Sequence, residues 1–173
     1  METAVNVRTA ASQPPQPDPH VRAVSLPQLK LYSRFKSAEI DVKTLRKVLR
    51  AALPLCQSHA LDADQPLMTV PEIEITLISD ADIAQVHADF LDDPTATDVI
   101  TFHHGEILIS PETAERQRKV HGSKSLNQEL ALYGVHGLMH LGGWDDHDPG
   151  EAAEMAAKQE AVLAQALEKV PLA

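Results

Sequence analysis

Three histidines and two aspartates fall within thirteen residues at "VHGLMHLGGWDDH", positions 135 to 147. His136 and His140 are four apart, and residues i and i+4 of an α-helix share a face with Cβ atoms about 5–6 Å apart. Two imidazoles so spaced can converge on one ion, at about 2.0–2.1 Å per Zn–N bond. Gly142 and Gly143 then break the helix, which lets a residue a few positions on approach from another direction. Asp145, Asp146 and His147 all stand there as candidate third ligands. Three protein ligands and an open position is the arrangement of a catalytic rather than a structural zinc. Zinc peptidases carry a glutamate directly after the first histidine, as the base that activates water. Gly137 holds that position here, so peptide hydrolysis by that route lacks its base. A glycine there also leaves room for a substrate or another element to pass close by.

The elements that must position these residues follow from periodicity. "LKLYSRFK", 29 to 36, alternates apolar and polar residues and predicts a strand. Asp41 caps a helix in which Val42, Leu45, Val48, Leu49 and Ala52 form the apolar face, and 57 to 71 reads as loop. "EIEITLIS", 72 to 79, is a half-buried strand, and Ser79 or Asp80 starts a helix to about Leu91. "DVITF" and "EILIS" are strands joined by the short "HHG", hence a hairpin. Pro111 opens the next helix. Ser125 and Gln128 suit a capping box for the histidine helix, which runs to about Leu141. Asp148, Pro149 and Glu151 take the first positions of a last helix to about Leu167. The pattern predicts an α+β fold, with a small mixed β-sheet of about four strands and one hairpin packed with helices, among them a zincin-like metal helix.

Residues 1–27, with "SQPPQPDPH", read as a disordered Pro-rich tail, and 28–173 as a single metal-dependent hydrolase domain. One cysteine, Cys56, excludes an internal disulfide and fits a reducing cytoplasm. No apolar run approaches the roughly 20 residues of a membrane span, and signal-peptide features are lacking, so the expected location is cytoplasmic. Net charge is −10, but its distribution is uneven. Between Ala51 and Glu115 there are thirteen acids and no Lys or Arg, whereas Lys30 to Arg50 holds seven basic residues. A second basic group, Arg116, Arg118, Lys119 and Lys124, precedes the histidine motif. Local phosphate-binding surfaces thus remain open to an acidic protein, as do plain solvated helix faces.

"HGLMHLGGWDDH" resembles the HGxxHLxGYDH signature of the YbeY family of metal-dependent endoribonucleases, and "ATDVITF", 96 to 102, resembles the family's PTDVLSF block. "GEILIS" and "EITLISDADIAQVHADFL" are similar to the elements around that block, so the resemblance runs from about Ile40 to Leu167. It implies one Zn2+ per chain, held by three side chains. It further implies a single-strand-specific endoribonuclease acting in maturation of the small-subunit rRNA 3′ end and in ribosome quality control. Expected partners are single-stranded RNA, rRNA and the small ribosomal subunit, with no DNA and no membrane. His136 and His140 fall on the first two ligands. Counted without gaps, the third falls on Asp146, with His147 as the alternative one residue on. Many members carry an arginine in the loop before TDV, and the matching position here is Leu91. A guanidinium binds phosphate in bidentate fashion and stabilises developing charge, neither of which leucine can do. That substitution supports an alternative, a metal-binding ribosome assembly factor without robust nuclease activity; a zinc peptidase ranks third.

Other residues have weaker claims. Thr97 and Asp98 suit either a hydrogen-bonded turn or the cleft, and His103 and His104 are turn histidines that can approach the metal. Glu106 is a candidate base or a solvent-facing strand residue. His87 and His121 read as structural or exposed, and His20 and His59 lie in tail and loop. The Lys43, Arg46, Lys47 and Arg50 stripe suits a solvated face or an RNA surface. Arg34, or a basic residue between 116 and 124, could stand in for the arginine absent at Leu91.

Overall fold

The computed structural model describes residues 25–173, so most of the Pro-rich tail, including His20, lies outside the described residues. The elements follow as β1 (Gln28–Ser33), α1 (Val42–Ser58), α2 (Pro66–Thr69), β2 (Glu72–Leu77), α3 (Asp80–Leu91), β3 (Val99–Phe102), β4 (Glu106–Ile109), α4 (Pro111–His121), α5 (Leu126–Leu141) and α6 (Pro149–Lys169). The fold is α+β around one four-stranded mixed sheet of order β1-β2-β4-β3. β1, β2 and β4 run parallel, and β3 closes the hairpin antiparallel to β4 at one edge. The region expected to be loop, 57 to 71, instead contains the end of α1 and the whole of α2. Proline opens α2 at a position where no amide hydrogen is needed, a signal that a four-residue helix gives no periodicity to reinforce.

Period-2 alternation divides the sheet's two faces. Ile107 and Ile109 join the main core with Ile73, Ile75 and Leu77, under α1, α5 and α6. Leu108 and Ile100 face the other way, onto Ile78 and Ile83, with Val86 of α3 packed against them. Capping follows the side chains expected to provide it. Asp41 accepts from the Thr44 amide, Ser79 from Asp82, and Asp148 from both Gly150 and Glu151. The box at α5 is half-formed: Ser125 accepts from the Gln128 amide, but the Gln128 side chain takes the Lys124 amide instead. In the hairpin, Gly105 has φ +103, and an added Cβ would lie 2.6 Å from the Glu72 carbonyl oxygen. Only glycine satisfies both demands.

The basic stripe of α1 is partly spent on the sheet. Arg46 donates to the Leu31 carbonyl at 2.7 Å, and Arg50 donates twice to that of Leu29. These carbonyls belong to β1, the edge opposite β3, so two of the four cations cap an exposed strand edge. Both arginines of the second basic group are likewise engaged. Arg116 pairs with Asp80 at 2.8 Å and Arg118 with Glu115 at 2.5 Å.

Candidate metal centre

α5 carries both histidines because it is pressed against the sheet. A Cβ on Gly137 would lie 2.8 Å from Ile107 Cγ2 and 3.2 Å from Thr101 Oγ1. The room at 137 is therefore filled by the sheet, and the side chain of a glutamate could not leave the helix there without displacing β4. α5 then ends in a glycine cap of defined geometry. The Trp144 amide donates to the Met139 carbonyl and the Gly143 amide to that of His140, with Gly143 at φ +96. This is a Schellman motif. Its reversal turns the Trp144 carbonyl back onto His140 Nδ1, at 2.9 Å.

His136 Nε2 and His140 Nε2 face each other at 3.0 Å, with their rings nearly perpendicular at 88°. Asp146 completes a triangle, its oxygens 3.5 Å from His136 Nε2 and 3.8 Å from His140 Nε2. These three ligand atoms lie within 4.8 Å of one another. Tetrahedral Zn–N bonds of about 2.05 Å would set neighbouring donors about 3.3 Å apart, so the spacing suits such an ion. The outer nitrogens support the same use: His136 Nδ1 meets Gln159 Oε1 at 3.0 Å, and His140 Nδ1 meets the Trp144 carbonyl. With both Nδ1 atoms donating, both Nε2 lone pairs point at one spot beside a carboxylate. Burial first, and then the neighbouring His136, hold the His140 imidazole below its usual pKa despite the Trp144 carbonyl and the nearby aspartates. Neutral imidazole is the form that binds a metal.

His147 is held elsewhere. Its side chain is 89 % exposed and its Nδ1 pairs with the Asp145 carboxylate. That hydrogen bond raises the His147 pKa, favouring the protonated ring, which has no lone pair for a metal. Asp145, Asp146 and His147 also form a second close group, exposed throughout.

A cleft of about 500 Å³ opens beside His140. It is lined by His140, Trp144, Asp145, Asp146 and His147 on one side, by Thr97 just before β3 and by Val99, Ile100 and Thr101 along it, and by His87 and Leu91 of α3 on the other. Gln65, Gly143 and His103 complete it; among the described residues no Lys or Arg contributes, neither Arg34 nor any residue of 116–124. Thr97 thus faces the cleft, while Asp98 does both structural and positional duty. Its carboxylate accepts from the Val99 amide at 2.8 Å, and its side chain borders a separate hollow beside His136 and Tyr133. His103 reaches the cleft, but His104 does not; it pairs with Glu106 at 3.2 Å on the exposed strand end. His121 packs against the fully buried Glu129, which it shares with Ser123. His59 caps α1, and its carbonyl accepts from the Trp144 indole.

Sequence reasoning read His87 as structural or exposed, whereas it lines the cleft, and gave no role to Gln65, Trp144 or Gln159. For His87 a signal existed, since it precedes Leu91 by four and shares its face of α3. No spacing links Gln159 or Gln65 to the motif.

Comparison with known proteins follows the same lines. A family model described as Endoribonuclease YbeY matches residues 31–167. The chain is 34% identical over 111 residues to Endoribonuclease YbeY of a Cyanothece species, covering 54% of this chain and 65% of that one. It is 38% identical over 99 residues to that of a Synechococcus species, covering 49% and 61%. With the Moorella thermoacetica protein of the same name the identity is 33% over 142 residues, 71% of this chain and 85% of that one. The match thus spans just under two thirds of the first two relatives and most of the third. The solution structure of TM1509 from Thermotoga maritima shares the fold, with a TM-score of 0.56 and 21% identity over 82% of this chain and 91% of that chain.

Proposed function

This chain belongs to the YbeY endoribonuclease family, and on that premise we propose that it is a zinc-dependent, single-strand-specific endoribonuclease. The reading extends to maturation of the small-subunit rRNA 3′ end in the cytoplasm, and to residues 28–173 acting as a single hydrolase domain. No helix among the described residues is long and apolar enough to cross a membrane. The observation that carries the proposal is the convergence of His136, His140 and Asp146 on one point, two of them, His140 and Asp146, also lining an open cleft. These three residues would hold one zinc ion, with His147 as the alternative to Asp146. When bound, zinc supplies a Lewis acid that polarises a phosphoryl oxygen and activates water.

The chain's own residues do the rest. The Trp144 carbonyl and Gln159 orient the two imidazoles. The cleft walls, with Thr97, His87 and His103, offer neutral or weakly basic donors to a ribose-phosphate backbone.

The test is zinc content and cleavage of single-stranded RNA for wild type, His136→Ala and His140→Ala. Wild type should carry about one zinc per chain and cleave, and both variants should lose both properties. Variants that cleave like wild type would overturn the mechanism. That no Lys or Arg among the described residues lines the cleft favours a second reading, a metal-binding assembly factor with little nuclease activity. Its signature is rescue of rRNA processing in a null strain by His136→Ala.

A further inference from the structure

Both histidines commit Nδ1, but to partners of different kinds. The Trp144 carbonyl facing His140 can only accept a hydrogen bond. It also cannot turn away, because Trp144 is tied on three sides. Its amide donates to Met139 at 3.2 Å, its indole N–H donates to the His59 carbonyl at 2.8 Å, and Lys158 Nζ stands 5.3 Å from its ring centre. His140 is thereby fixed with its proton on Nδ1 and a lone pair on Nε2. His136 instead faces a side-chain amide. Gln159 sits in mid-α6, a helix anchored by buried Met155, Val162, Leu163 and Ala166. A half-turn of the amide exchanges its acceptor oxygen for a donor NH2.

That difference matters because the two Nε2 atoms are 3.0 Å apart. With no cation between them, two lone pairs would oppose each other at hydrogen-bond distance beside the Asp146 carboxylate. A proton on His136 Nε2, donated to His140 Nε2, removes the conflict. It leaves His136 Nδ1 bare and in need of a donor, which the turned Gln159 amide provides. With a cation present, His136 Nε2 must be bare, the proton moves to Nδ1, and Gln159 Oε1 accepts it. No net proton is gained or lost by the imidazole in this exchange.

Building on the metal reading of this site, we infer that Gln159 is a positioning residue whose amide turns with occupancy, letting His136 switch tautomers so that the centre is satisfied both with and without its ion. A carboxylate or backbone carbonyl at the same point would serve only the loaded state. Gln159 would thus trade some affinity for a stable unloaded protein, which is the property of a site that acquires its metal after folding.

The full chain tests this through zinc affinity, read by competition with a chromophoric chelator, and through 15N shifts of the His136 ring with and without zinc. Metal-free wild type should show the His136 proton on Nε2, and zinc-loaded wild type should show it on Nδ1. Gln159→Leu should bind zinc about 10–100-fold more weakly, the usual effect of removing a ligand's outer partner. Gln159→Glu should bind at least as tightly as wild type, with the proton on Nδ1 in both states. A proton already on Nδ1 in metal-free wild type overturns the inference, as does zinc binding by Gln159→Leu within about twofold of wild type. Should the leucine variant not fold, the wild-type and glutamate spectra still decide. Wild type that binds no zinc overturns the proposed function as well, whereas zinc binding with an unmoved proton overturns this inference alone.

Discussion

The metal wall and the α3 rim face each other across one cleft, yet only the first has its side chains held from behind. His136 and His140 rise from α5, whose other faces are packed on the sheet and on α1 and α6, and each ring is fixed through its second nitrogen. α3 buries only Ile83 and ends on Asp92 in the left-handed region, leaving Phe90 69 % and Leu91 60 % exposed. His87, the rim's chemical residue, is steadied only by the Thr95 carbonyl of the adjoining loop, at 2.8 Å. The difference matches what the proposed function would ask of each wall. A metal requires donors positioned to a few tenths of an ångström, which a packed helix provides, whereas a flexible strand of RNA would adapt to its groove.

The comparison predicts a ranking of effects. Asp146→Ala should lower zinc affinity by more than the roughly 10–100-fold typical of outer-shell losses, while His147→Ala should leave it near wild type. Metal titration of the two variants side by side checks this, and equal losses would blur the boundary of the metal wall. Gly137→Ala should cost about 1–3 kcal/mol in denaturant unfolding, because the added methyl overlaps Ile107 and forces α5 off the sheet. A neutral result there would mean that the helix is not pressed into place. Effects on the rim should be smaller and should spare the metal. Leu91→Arg should tighten single-stranded RNA binding and steepen its salt dependence by roughly 0.7 in log–log slope for one added phosphate contact. Phe90 presents an exposed ring, edge-on to Phe102 at 5.3 Å between centroids. Phe90→Ala should weaken RNA binding by a factor of about five or less, the low end of base stacking. A rim variant that lost zinc would erase the distinction between the two walls.

Much of the metal wall was legible because its information is local. The i, i+4 histidines, the paired glycines and the acidic turn lie in thirteen consecutive residues, and helix geometry alone brings the first two together. The caps at Asp41, Ser79 and Asp148 were legible for the same reason, each being a side chain that bonds an amide two or three residues on. The short α2 escaped because four residues carry no period. The basic stripe of α1 was ambiguous because charge does not announce its partner, and two of its arginines turn out to cap β1.

The sequence by itself determined the α+β class, the order of the strands and the longer helices, the family likeness and the i, i+4 placement of two histidines on one helix, since each rests on spacing along the chain. Tertiary structure decided what depends on separations of twenty residues or more. It closed the space at Gly137 with Ile107 and Thr101, brought Gln159 behind His136 from α6, and kept the Lys and Arg side chains of the described residues out of the cleft. Nearer at hand, the path of the turn set Asp146 beside the histidines and His147 against Asp145.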